Sequence, residues 1–131
     1  ESIPTKAGGV ISPTQRSLKL LRGEGWTCQV VERWNAFAHV RVDLFGCIDI
    51  VAIRDGITGS TGIQTTSAAN MQARRDKIKA SKEMKLWVLC GNRIELHGWG
   101  KFGKGGVKKW VCRREVVIVN EESQLQFVST T

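Results

Sequence analysis

The stretch DLFGCIDIVAIRDGITGSTGIQTTS, residues 43–67, decides how this chain folds. Within it, CIDIVAIR (47–54) has the β-branched content of a strand, and DGITGST is a turn-rich connection. GIQTTS (62–67) then reads as a second strand returning antiparallel to the first. Asp49 is set between Ile48 and Ile50, where an ionised carboxylate is costly unless it is paired or binds a metal. Gln64 and Thr66 lie two apart on one strand, so their side chains share a face. The turn can bring that face alongside Asp49, which makes Asp49 and the Gln64 carbonyl oxygen candidate metal ligands. Magnesium suits such a pair, because it prefers oxygen and needs only one or two carboxylates beside neutral oxygens and water.

Upstream, Ser12 is a candidate cap and Pro13 a first helical residue for PTQRSLKLLRGEGW, an amphipathic helix closing on Gly23 and Gly25. TCQVVERW (27–34) reads as a strand. Downstream, Ser67 can cap a helix from Ala68 to roughly Lys82. KLWVLCGN (85–92) and RIELHGW (93–99) read as two strands around a Gly-Asn turn, and KKWVCRREVVIV (108–119) as another strand. The tail EESQLQFVSTT carries no clear pattern. This order predicts an α/β fold: one domain, with a mixed central β-sheet flanked by helices. Residues 1–12 read as a flexible arm, and residues 13–131 as the domain, with a basic glycine-rich hairpin near 98–110.

Lys and Arg number 20 against 12 acids in 131 residues, a formal charge of +8, which favours a polyanionic partner such as nucleic acid. The helix after Thr66 carries Arg74, Arg75 and Lys77, which can follow a phosphate backbone or simply form a solvated face. HGWGKFGKGGVKKW interleaves Trp99, Phe102 and Trp110 with Lys101, Lys104, Lys108 and Lys109. Lysines there can meet phosphates while rings stack on bases; an ordinary hairpin with core tryptophans is the plainer alternative. Charge and aromatics do not separate DNA from RNA.

Other chemistries fit poorly. Gly98-x-x-x-x-Gly103-Lys104 begins like a nucleotide-binding loop, but Gly105 follows and a strand rather than a helix comes next. Cys28, Cys47, Cys90 and Cys112 form no CxxC pair, and His39 and His97 supply no zinc spacing. Buried thiols in a reducing, cytoplasmic setting are the expectation. No apolar run approaches the roughly 20 residues of a membrane span.

Gly46-x-x-Asp49-Ile-Val-Ala-Ile, a turn, Gly62-Ile-Gln64-x-Thr66-Ser and a basic helix together resemble the PD-(D/E)XK nuclease superfamily. PTQRSLKLLRGEGW is similar to the first core helix of archaeal Holliday-junction resolvases and Mrr-like restriction nucleases. The resemblance runs from about Pro13 to Cys90. It implies a restriction-endonuclease-like αβββαβ core, dependence on Mg²⁺ (or Mn²⁺) and a DNA substrate. It makes Asp49 the metal-binding aspartate and puts Gln64 in the place of the second acid, a glutamine that Mrr-like members also carry. Thr66 stands where the family has lysine, so Arg74, Arg75 or Lys77 would have to bring the positive charge. Asp43 and Glu32 are further acids that can complete a site, with Asp43 named as a third metal ligand; Gln15 falls nearest the family's helix glutamate.

Two functions follow as expectations. One is a metal-dependent DNA endonuclease, of a size that would suit a phage, working as a homodimer if both strands are to be cut. The other is a catalytically inactive nuclease-fold protein that binds nucleic acid or acts as an adaptor.

Overall fold

Helix α1 (Pro13–Gly23) starts where its capping chemistry says it should: the Ser12 hydroxyl accepts the Gln15 amide hydrogen at 3.2 Å, with Pro13 in the first turn. Thr14, Ser17, Leu18 and Leu21 form its buried face, spaced three and four apart. The computed structural model describes residues 11–130; residues 1–10 of the expected arm, and Thr131, lie outside the described residues.

After α1 come β1 (Thr27–Val30), β2 (Arg33–Asn35), β3 (Val40–Val42), β4 (Ile50–Ile53) and β5 (Thr61–Ser67). A 3₁₀ turn (Ala68–Asn70), α2 (Met71–Ala80) and α3 (Lys82–Leu89) follow, then β6 (Arg93–Phe102), β7 (Lys109–Val119) and β8 (Leu125–Ser129). Six strands form one sheet in the order β1-β4-β5-β6-β7-β8, while β2 and β3 make a separate hairpin. Among the described residues only β5 and β6 pair in parallel, and the helical segment between them supplies the long crossover that parallel pairing requires. The chain is therefore one α/β domain with a mixed sheet, as the sequence predicted.

Two apolar clusters lie on opposite faces of the sheet. Leu18 and Leu21 of α1 pack with Trp26, Cys28, Ile50, Ala52 and Ile63. Ile78 of α2 and Met84 of α3 pack with Ile48, Ile94, Val117 and Leu125. The side chains of β6 divide accordingly. Ile94 and Leu96 face α2 and α3, while Glu95 and His97 sit under α1, both fully buried.

That polar pair belongs to a continuous network. Trp99 Nε1 donates to Ser17 Oγ (2.8 Å), Ser17 pairs with His97 Nδ1 (2.8 Å), and His97 Nε2 pairs with Glu95 Oε1 (2.9 Å). Arg114 of β7 donates from Nε to Glu95 (2.8 Å) and from its two terminal nitrogens to Glu24 beyond α1 (2.7 and 2.8 Å). Burial lowers the His97 pKa despite the neighbouring Glu95, so the ring is neutral, with Nε2 donating to Glu95 and Nδ1 accepting from Ser17. Burial pushes Glu95 up, but hydrogen bonds from His97 and Arg114 outweigh it and hold the carboxyl at about 2. The arrangement resembles a Ser-His-acid relay in outline, yet Ser17 is fully buried and its oxygen is already bonded to Trp99, so it fastens α1 to the sheet.

Four local expectations change. The segment 85–92 is not a strand: Lys82–Leu89 is helical, because the Ser81 hydroxyl caps it through Met84 N–H and Met84, Trp87 and Val88 turn one face to the core. The long helix after Ser67 is interrupted, with Ser81 extended between α2 and α3. The strand expected over 27–34 stops at Val30, and Arg33–Asn35 pairs with Val40–Val42 instead. Cys90 is exposed rather than buried, since it caps α3; Cys28 and Cys47 are buried and Cys112 intermediate. The tail, unassigned in sequence, forms β8 beside β7 after a turn in which Asn120 Oδ1 accepts from Glu122 and Gln124 amides. Among the described residues no helix is long and apolar enough to cross a membrane.

Candidate metal centre

Three chain segments converge on Asp49. The first is the continuation of β1: Val31 N–H donates to the Asp49 carbonyl (2.9 Å), which sets Glu32 just beyond it. The second is the loop before β4, where Leu44 and Ile48 form an isolated antiparallel bridge. One step outward in that register, Asp43 faces Asp49. Closing so short a loop requires left-handed backbone at Phe45 (φ 52°) and Gly46 (φ 75°), which is what the glycine of Gly46-x-x-Asp49 provides. The third segment is β5, whose Ile63 pairs with Ile50, so Gln64 lies opposite Asp49.

Ligand atoms of Glu32, Asp43 and Asp49 lie within 4.8 Å of one another. Donors converge on one Asp49 oxygen: Gln64 Nε2 (2.9 Å), Thr65 N (2.8 Å) and Thr65 Oγ1 (3.2 Å) all reach Oδ2. Thr65 Oγ1 also pairs with Thr14 Oγ1 at 2.8 Å, tying α1 to the site. Gln64 must turn its NH₂ toward the carboxylate, which leaves Oε1 as a buried acceptor without a donor among the described residues. Asp49 itself is 4% exposed. Its burial, then the contact with Asp43, push its pKa up to about 8; the Thr65 amide opposes this, and the charges on Asp43 and Glu32 add to it.

These groups line a cavity of about 340 Å³ that also receives Thr66, Ser67, Asn70 and Arg74. A carboxylate cluster whose central member is strongly destabilised as an anion, beside an orphaned amide oxygen, matches the all-oxygen donor set of a hard divalent cation. The residues present therefore fit Mg²⁺ or Mn²⁺, with Asp49, Asp43, Glu32 and Gln64 as the oxygens that would hold it.

The chain matches no protein-family model, no curated protein and no solved structure.

The structure brings Asp49, Gln64, Thr66 and Asp43 around one cavity. It also brings in Glu32, which the sequence offers only as a further acid, because nothing local marks an acid that follows a strand by two residues. It also puts Thr14, rather than the neighbouring Gln15, in the cavity wall. The three cations of the helix after Thr66 separate. Arg74 lines the cavity, and Lys77 Nζ stands 3.8 Å from Asp43. Arg75 instead makes a two-pronged ion pair with Glu115 (2.7 and 2.6 Å), an arrangement that spends its guanidinium on β7. Lys101, Lys104, Lys108 and Lys109 are exposed along the β6–β7 hairpin.

Proposed function

We propose that this chain is a metal-dependent DNA endonuclease that hydrolyses phosphodiester bonds at the Asp49 cavity. The observation that carries the reading is the meeting of Glu32, Asp43 and Asp49 beside a buried, donorless Gln64 carbonyl. A bound divalent cation would supply charge neutralisation at the phosphate and a more acidic water. The protein's own groups do the rest. Thr65 and Gln64 fix the Asp49 carboxylate through Oδ2, which leaves its other oxygen to the cluster. Thr66 offers a hydroxyl but no charge, and Arg74 in the same cavity replaces the lysine as the positive group facing a phosphate. The net charge of +8 holds the polyanion against the surface.

The test is incubation of purified protein with plasmid, branched and single-stranded DNA in Mg²⁺ or Mn²⁺, against Asp49→Ala. Wild type is expected to cut and the variant to fail. An inert wild type leaves a non-catalytic nucleic-acid-binding protein as the reading, and a variant that cuts equally well removes Asp49 from the site of cleavage. A second expectation separates the cations: Arg74→Ala should slow cleavage at saturating DNA by about 10²-fold, the usual loss for one transition-state charge partner. Arg75→Ala should instead act mainly on stability, through the Glu115 pair.

A further inference from the structure

Strand β5 ends at Ser67, opposite Trp99, but β6 continues to Phe102. Gly100, Lys101 and Phe102 therefore have a strand neighbour only on the β7 side among the described residues. The open corner is a groove of about 500 Å³ that borders the acidic cavity, because Ser67 lines both. The far wall is Ala68 and Ala69, small enough to leave it open.

The groove is walled by aromatic rings that already carry cations. Arg16 of α1 lies over the Trp110 ring at 3.8 Å, and Lys101 stands 5.5 Å from the same ring. On the other face of the sheet, Arg113 lies 4.3 Å over Phe102. A guanidinium held flat on a ring keeps its outer face for a base and its N–H edge for a phosphate. Arg16 Nε itself is buried, so the exposed cation at this ring is Lys101, and Trp110 is 41% exposed. Stacking platforms interleaved with cations suit a polyanion whose base faces are uncovered. In a continuous duplex those faces are hidden by neighbouring pairs.

We infer that this corner is a subsite for an unpaired DNA strand, and that the preferred substrate carries a single-stranded segment running past Ser67 from the site of cleavage. The inference rests on the endonuclease reading for the direction in which the strand runs and for the choice of DNA over RNA. Its occupant is single-stranded DNA, chosen for the match of charge and ring faces and for continuity with the acidic cavity.

The experiment measures binding without cleavage, in EDTA, by anisotropy of labelled oligodeoxythymidine and of a blunt duplex. Trp110→Ala should weaken oligodeoxythymidine binding by about 5- to 100-fold, the loss expected for a stacked base, with Trp110→Phe losing less and duplex binding nearly unchanged. Photocrosslinking of wild type to a strand carrying 5-iododeoxyuridine should map to Trp99, Phe102 or Trp110, a readout that needs no variant to fold. The inference is overturned by crosslinks that fall elsewhere, by equal losses for strand and duplex, or by tighter binding of oligouridine than of oligodeoxythymidine. Failure of the cleavage reading looks different: Mg²⁺ would give no products while the crosslink and the Trp110 effect persist.

Discussion

Replacing Asp49 by asparagine should make the metal-free protein more stable while removing the cleavage proposed for it. The carboxyl is 4% exposed, faces Asp43 and Glu32, and is pushed up to about 8. Asparagine keeps an oxygen for the Thr65 and Gln64 donors and presents an NH₂ group to Asp43, so the site no longer has to take up a proton on folding and keeps its hydrogen bonds. At pH 7 the gain should be roughly 2–4 kcal/mol, which for a domain of this size is on the order of 10 °C in Tm. The proposed cleavage should fall by about 10²–10⁴-fold, since the charge stabilisation lost with a ligand of the proposed metal is worth several kcal/mol. A site shaped for catalysis and not for stability behaves in this opposed way.

The pH profile gives the sign. A carboxyl raised from 3.8 to about 8 binds more protons in the folded than in the unfolded state between those values. Its contribution is therefore complete below about pH 4 and is lost as pH rises toward 8, by up to about 1.4 kcal/mol per unit. His97 runs the other way. Its lowered pKa means that the folded protein gains stability as pH rises toward 6.5, so the two effects offset each other in the acid range. The clean window is pH 6.5 to 8, where wild-type Tm without divalent cation should fall and Asp49→Asn should stay flat. Added Mg²⁺ should raise wild-type Tm, more at pH 8 than at pH 6.5, and leave the variant unmoved. Thermal melts that show Asp49→Asn no more stable than wild type, or equally pH-dependent, would sink the assignment of Asp49 as the strained centre of the cluster.

What the sequence made legible follows the range of each interaction. Asp49 and Gln64 could be paired on paper because β4 and β5 are joined by a short turn, and their register follows from the connection. Glu32 could not, since it reaches the site only through the alignment of β1 on the far side of β4. KLWVLCGN (85–92) suggests a strand in sequence because it is a short apolar run that suits either periodicity, and the capping hydroxyl of Ser81 makes Lys82–Leu89 helical instead. Arg75 and Arg74 are neighbours with the same charge. Only the position of Glu115 on β7 assigns one to an ion pair and leaves the other to the cavity.

Arg114→Ala should be the most destabilising of the single changes considered, by roughly 3–5 kcal/mol. Removing the guanidinium strips Glu24 of its partner and leaves Glu95, 2% exposed, with His97 and a longer contact to Arg93 at 3.5 Å. The cost is that of a buried carboxylate without its cation, so it should depend on Glu95 remaining charged. Glu95→Gln in the Arg114→Ala background should recover at least about 2 kcal/mol, an interaction energy that a double-mutant cycle measures by denaturant unfolding. Arg114→Lys should fall between wild type and alanine, because one ammonium cannot span Glu95 and both oxygens of Glu24 as the fork does. The pH dependence again carries a sign. Glu95 is held at about 2, well below its ordinary value of 4.5, so the stability it contributes is present above about pH 4.5 and is lost as pH falls through 2. The deficit of Arg114→Ala should therefore be widest at neutral pH and narrow on acidification across that interval. A deficit that stays constant from pH 7 to 2, or a double variant no more stable than Arg114→Ala, would mean that Arg114 stabilises the sheet by packing alone and that the buried charge is not what binds α1 to β6 and β7.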